Sequence, residues 1–328
     1  MLRPRASRAQ VLVRRHGVDA VPWLLVIALF VATAASLDGF LTKPSILSVL
    51  VISSLLGLAS LGQTLTIMLG GIDLSIPGLM TMGNIVSIML AQHGWPFITI
   101  VLTISLVAIA IGTLNAALSR ALKVHPLVVT LAVGLIVAGA VLTITHGGAV
   151  NGGLPEWVTT AISPVAHTWL IPLPGVLVAW IVVSAVVLWA QRGTRFGRLL
   201  YAIGSNPLAA RLSLARETAV WVGVYQISAL MAALTGILVA AYSGSASVSV
   251  SRPYLFMTVA AVVVGGTSLL GGSGGYGRTI LGVFVVQLLT VLLLGQGLST
   301  YVQGTILGIM IVLLVSIYGR DQHVSRRV

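Results

Sequence analysis

The sequence predicts an all-α polytopic membrane protein with about ten transmembrane helices and cytoplasmic N and C termini, and three observations carry that reading. Hydrophobic residues make up 57% of the 328 and charged residues only 7%, with a mean hydropathy of +1.08. A water-soluble chain of this length has no interior large enough to hide so much apolar surface. The apolar residues also come in runs near the roughly 20 residues that a helix needs to cross a bilayer. Barrel strands alternate over only about ten residues, so the spans are expected to be helices. Finally, the basic residues lie between the runs, where they can orient the chain.

The runs fall near residues 20–37, 45–69, 77–92, 96–118, 126–146, 169–190, 218–242, 254–271, 279–295 and 300–318. They form one transmembrane domain over 20–318, preceded by a basic segment, 1–19, and followed by a short tail, 319–328. With the N-terminus in the cytoplasm, Arg3, Arg5, Arg8, Arg14, Arg15, Arg120, Lys123, Arg192, Arg195, Arg198, Arg211, Arg216, Arg278, Arg320, Arg326 and Arg327 lie inside. Only Lys43 and Arg252 lie outside, a split of 16 to 2 that the opposite orientation or an odd number of spans spoils. The first run contains near its end Ala32-Thr33-Ala34-Ala35, which looks like a signal cleavage site. It is long for a signal peptide, however, and its retention is expected.

Several function classes are excluded early. There is no cysteine, hence no disulfide framework or thiol chemistry. The formal charge of +12 orients spans and does not mark a nucleic-acid partner. No HExxH pair is present, and His16, His93, His125, His146, His167 and His323 all sit near span ends. Neither an enzyme nor a metal or cofactor site is expected.

Two connections are long enough to act. Residues 147–168 hold Glu156, Pro155 and Pro164 and no Lys or Arg, and are read as an ordered external cap or a docking surface. Residues 191–217 carry five arginines on the cytoplasmic side, and there Ser205-Asn206-Pro207 reads as a helix start. The helix expected over about 207–215 places Leu208, Leu212 and Ala215 on one stripe with Arg211 at its edge. From spacing alone it is a headgroup-level surface helix or a docking helix.

Two glycine-rich stretches stand out between the spans. In Gly70-Gly71-Ile72-Asp73-Leu74-Ser75, glycines beside an acid mark a helix break. Asp73 either serves transport, since a carboxylate near hydrocarbon is costly, or caps the next helix at the cytoplasmic surface. The other, GGTSLLGGSGGYGRTILG at 265–282, lacks the Gly-Lys-Ser/Thr ending of a P-loop and reads as close helix packing and a tight turn.

The runs GQTLTIMLGGIDLS, AIGSNPLAARLS and GGTSLLGG resemble the permeases of bacterial ribose-type ABC importers, related to those for galactose, xylose and autoinducer-2. The likeness extends from about Ser45 to Arg320. Departures include Leu208 and Leu214 in the second run, Ala116, Ala138, and Tyr254-Leu255-Phe256-Met257 where an acid often precedes the third. The resemblance implies a multi-pass inner (plasma) membrane subunit that translocates a sugar or sugar-like solute. Its partners would be a cytoplasmic P-loop ATPase subunit, a periplasmic substrate-binding protein, a second permease subunit and membrane lipid. It assigns Asn206, Pro207, Ala209, Ala210 and Arg211 to ATPase coupling, and makes Gly70, Gly71, Gly265, Gly266, Gly271 and Gly272 the structural signature.

A substrate path would use polar groups left inside the spans: Gln63, Asp73, Ser75, Asn84 and Asn115, with Gln226, Gln287 and Gln303 behind them. Each can instead make an interhelical hydrogen bond worth roughly 0.6 kcal/mol. With no arginine mid-span, the path suits a neutral polyhydroxylated solute better than an anion. The competing reading is a stand-alone secondary transporter or facilitator, for which Asp73 is the sole intramembrane acid available.

Overall fold

The computed structural model describes residues 8–146, 150–165, 173–212 and 217–325. Arg3, Arg5, His167, Leu214, Ala215, Arg216, Arg326 and Arg327 lie outside the described residues, as do the side chains of Arg8, Arg14, Arg15, His16, Arg211, Arg320 and His323.

The chain runs α1 (Arg8–Ser36), α2 (Lys43–Met68), α3 (Ile76–Gln92), α4 (Phe97–Ala121), α5 (Pro126–Ile144), β1 (Val150–Asn151), α6 (Glu156–Ile162), α7 (Gly175–Gly193), α8 (Arg195–Ser205), α9 (Pro207–Leu212), α10 (Glu217–Ser243), β2 (Ser245–Ala246), α11 (Val248–Ser251), α12 (Tyr254–Val264), α13 (Tyr276–Gly295) and α14 (Thr300–Ser325). Six of these helices, α2, α4, α5, α7, α10 and α13, are long and apolar enough to cross a membrane. Shorter apolar stretches cover Ala20–Ser36, Ile76–Gln92, Val248–Val264 and Thr300–Leu313. The fold is that of an all-α membrane protein. Its small non-helical supplement is an antiparallel pairing of β1 with β2, Val150 opposite Ala246 and Asn151 opposite Ser245.

Helix α2 is the axis of the bundle, buried along nearly its whole length and packed against α7, α10, α12 and α13. Its small residues explain how one helix accepts so many neighbours: Gly57 lies under the Trp180 indole and Gly62 against Ser228. One close approach joins α3 to α10. A Cβ at Gly83 would strike the Ala233 carbonyl, and one at Gly236 would strike the Met80 carbonyl, so the two backbones touch through reciprocal glycines. Around this core, α1, α4, α5 and α7 expose Leu24, Leu102, Leu106, Ile136 and Val186. An apolar exterior around a core rich in small and polar residues suits lipid as the surrounding solvent.

Two sequence expectations change. The run expected over 254–271 ends as a helix at Val264, because Gly265 and Gly266 turn the chain into a loop with left-handed backbone at Gly266, Gly271, Gly272 and Gly274. The cytoplasmic connection holds a helix, α8, before the expected one. Thr194 starts it by accepting the Gly197 N–H (3.3 Å), and Leu200 and Ile203 are buried on one face. In the 147–168 connection, α6 buries Val158 and Ile162 in the main core, the form of an ordered cap.

Candidate functional site

The site is built where α2 stops. Gly70 takes a left-handed backbone (φ +84°), its N–H bonds the Ile67 carbonyl (2.8 Å), and the Gly71 N–H bonds the Thr66 carbonyl (3.0 Å). This paired closure is the Schellman ending that glycine favours. The chain then crosses to α3 through Ile72–Ser75 without helical bonds, and neighbours supply what the backbone lacks. Thr130 on α5 accepts the Leu74 N–H (2.9 Å) and donates to the Ile72 carbonyl (3.2 Å).

Asp73 sits in the middle of this break, 1% exposed. One carboxylate oxygen accepts the Ser75 N–H (2.9 Å) and the Ser75 hydroxyl, and the other accepts Ser228 Oγ from α10 (2.7 Å). Asn115 on α4 donates to Ser75 Oγ (2.9 Å). One sequence reading made the acid a cap of the next helix; it accepts the N–H of Ser75, the residue before the first turn of α3, and bonds no N–H of that turn. A second correction is its place: buried between α4 and α10 and not at the aqueous surface, where a free carboxylate would need no partner helix. Close by, a Cβ on Gly71 would meet Tyr225 Oη at 2.7 Å.

The three sequence runs converge at this point. The Gly272 N–H donates to the Met68 carbonyl at the end of α2 (2.9 Å). Gly204 of α8 packs directly on the same carbonyl, and a Cβ on Gly271 would lie 2.9 Å from Gly70 N and 3.0 Å from the Gly204 carbonyl. Tyr201 Oη donates to the Gly274 carbonyl (2.8 Å), and Ser205 Oγ lies 3.3 Å from the Gly272 carbonyl. From α7, Gln191 accepts the Tyr276 N–H (3.1 Å) and donates to Met68 Sδ (3.3 Å). Gly265 lets α12 lie against the Arg278 carbonyl of α13. The end of α2, α8 and the 265–275 loop form one backbone-to-backbone knot, which accounts for the signature glycines without any ligand.

Basic side chains surround the knot. Arg278 reaches the Gly266 carbonyl (3.4 Å), Arg198 the Gly193 carbonyl (3.5 Å), and Arg120 pairs with Glu217 (3.2 Å). Burial pushes the Tyr201 phenol above its ordinary value, with Arg192 and Arg278 pulling the other way. It stays a donor to Gly274 at neutral pH.

Helix α9 hangs from this knot. Asn206 Oδ1 accepts the Ala209 N–H (3.0 Å), as a helix-capping residue should, and Pro207 follows. Ala210 is buried with Leu65, Leu69, Leu200 and Ile203. Asn206, Pro207 and Ala209 are exposed, and so are Leu208 (69%) and Leu212 (79%). The apolar stripe read from the sequence thus points away from the protein.

The remaining polar residues are dispersed. Asn84 accepts the Ser247 N–H (3.0 Å) and its amide lies 3.5 Å from the Gly236 carbonyl. Gln226 bonds Thr113 (2.9 Å) and Gln303 bonds Thr290 (2.7 Å), both between helices. Gln63 is buried, and neither amide atom has a partner among the described residues. Asp73, Ser75 and Asn115 meet in space; Asn84 stands apart on the far side of α3. Sequence reasoning missed Ser228, Tyr225, Gln191 and Tyr201, because no local pattern relates residue 73 to residue 228.

Residues 45–315 match the family described as the branched-chain amino acid transport system / permease component. The chain belongs to that family. It is 31% identical over 296 residues to the ribose import permease protein of Bacillus subtilis strain 168, covering 90% of each chain. It is 31% identical over 276 residues to the autoinducer 2 import system permease protein LsrD of Klebsiella pneumoniae, covering 83% of this chain and 81% of that one. A probable ABC transporter permease protein of Escherichia coli K12, YphD, is 31% identical over 307 residues, covering 92% and 90%. No solved structure matches. All three relatives are named as permease proteins.

Proposed function

We propose that this permease is the pore-forming subunit of an ABC importer for a sugar or sugar-like solute, crossing the inner membrane ten times with both termini in the cytoplasm. The observation that carries the coupling role is α9: an exposed Leu208/Leu212 face, at the arginine-rich end, joined through α8 to the α2–α3 break. An exposed leucine pair on a helix too short to be stable alone suits a cleft in a partner. That partner is the ATPase subunit, and the named relatives support a sugar as cargo.

The geometry suggests how force would travel. A pull on α9 passes to Gly204 and Ser205, then through the Met68 and Gly272 backbones to the Gly70–Ser75 break. Tight backbone contacts transmit displacement, whereas flexible side chains would absorb it. The break is the natural hinge, since Thr130 of α5 holds its Leu74 N–H and Ile72 carbonyl while Ser228 of α10 and Asn115 of α4 hold its Asp73 and Ser75 side chains, in place of helical repeats. A binding protein delivers solute on the opposite side, and two permease subunits flank the route.

The test is reconstitution with the ATPase and binding protein. Leu208→Glu with Leu212→Glu, and separately Asn206→Asp with Arg211→Glu, are expected to abolish uptake while the permease still inserts and purifies. Normal uptake by both variants would sink the docking role.

A further inference from the structure

We infer that the cleft between α12 and α14, at the end away from the knot, is an outer binding site for the neutral polyhydroxylated ring, which the solute occupies before it passes inward. The inference rests on the sugar reading above. The cleft has a volume of about 410 Å³, within the few-hundred Å³ range of small-molecule sites.

Its walls suit a sugar. Tyr301 (88% exposed) and Phe256 (52% exposed) present ring faces that can stack on the C–H face of a pyranose or furanose. Arg252 lies on the rim, and its guanidinium makes no hydrogen bond or ion pair among the described residues. Its fork of N–H donors fits two neighbouring hydroxyls. Ser249 and Thr300 add hydroxyls. The contrast lies against α5, where a cleft of about 300 Å³ is lined almost wholly by aliphatic side chains such as Val86, Val107 and Ile136. That cleft suits an acyl chain; the α12–α14 cleft, with its arginine, hydroxyls and aromatic faces, does not.

A second observation concerns Gly304, inside α14 and on the cleft wall. A Cβ there would meet nothing within 4 Å. No neighbour in the chain requires this glycine, although glycine weakens a helix interior. Its effect is to keep the cleft open.

The same feature supplies the test, because a side chain at 304 fills the cleft without touching the fold. The complete transporter, with ATPase and binding protein, is reconstituted in liposomes and given radiolabelled D-pentoses and D-hexoses. With the sugar that the wild type accumulates, Gly304→Leu and Arg252→Gln are expected to lower uptake by about tenfold or more. Gly304→Ala should stay near wild type, and affinity for the loaded binding protein and assembly of the permease pair should be unchanged. Unaltered uptake in both variants overturns the site. So does uptake that falls in step with binding-protein affinity, which makes the cleft a seat for an acidic side chain of that protein. Lost assembly makes it a contact between permease copies, and uptake restored by changing lipid composition makes it a lipid site. If the wild type accumulates none of the sugars although the complex assembles and hydrolyses ATP, the sugar reading itself fails, and this site with it.

Discussion

The Asp73–Ser228 bond gives the sharpest test of how the break is held. Asp73→Ala strands the Ser75 N–H, the Ser75 hydroxyl and the Ser228 hydroxyl in a buried site, each costing about 1–3 kcal/mol, or about 3–9 kcal/mol together. Asp73→Asn keeps an oxygen for Ser75, and the Ser228 hydroxyl, which donates to the carboxylate at 2.7 Å, need only turn to accept from the new amide. Its cost should be about 1 kcal/mol. Ser228→Ala removes one bond to a carboxylate, about 1.5–3 kcal/mol. In the double variant Asp73→Ala with Ser228→Ala the Ser228 hydroxyl is no longer there to be stranded, so the cycle should show a coupling of about 1–2 kcal/mol. The assay is equilibrium unfolding of the purified permease in mixed micelles titrated with SDS. If Asp73→Asn destabilises as much as Asp73→Ala, or the coupling is absent, this account of how the break is held is wrong. Uptake separates structure from transport: Asp73→Asn should support it, and a stable variant that fails to transport would assign the charge itself to translocation.

Other outcomes follow from the same contacts. Gly83→Ala or Gly236→Ala forces α3 from α10 and should cost about 1–3 kcal/mol or more in the same titration, whereas Gly304→Ala should cost nothing. Tyr201→Phe removes the bond to the Gly274 carbonyl, leaving the permease folded but with weaker coupling of ATP hydrolysis to uptake, measured as the ratio of the two. Burial raises the Tyr201 phenol above its ordinary value of 10.0, so the folded state keeps that proton longer than the unfolded state. Its stabilising contribution is full below about pH 10 and is lost as pH rises through the higher folded value. The stability difference between wild type and Tyr201→Phe should therefore be constant to about pH 10 and shrink above it. Exchanging Arg120 with Glu217 should change stability by no more than about 1 kcal/mol, since the pair is partly exposed.

Much of the candidate site could be read locally and its assembly could not. Asn206-Pro207 announces a helix start because capping and proline geometry act over one turn, and the cap to Ala209 is there. Gly70-Gly71 announces a helix end for the same reason. The Thr194 cap and the apolar face of α8 were equally local signals, but a loop rich in arginine and glycine obscured them. For the polar residues inside the spans, composition could not separate a solute path from an interhelical staple. Asn84 and Gln226 each bond a group across from them in the bundle, because a buried amide in apolar surroundings takes whatever backbone or hydroxyl lies within reach.

The membrane character, the apolar runs and the asymmetry of charge are properties of short windows of sequence. Each residue contributes its transfer free energy irrespective of its distant neighbours, and the sequence alone determines them. The knot is different in kind. It needs residues near 70, 204 and 272 to meet at backbone distance, and the carboxylate of Asp73 to meet a hydroxyl 155 positions away. Such contacts depend on which helices pack together and at what depth, and that was decided by glycines whose missing side chains have meaning only once a partner backbone is in place. The exposed α9 face and the open cleft beside Gly304 belong to the same class, because exposure is defined only after everything else has packed.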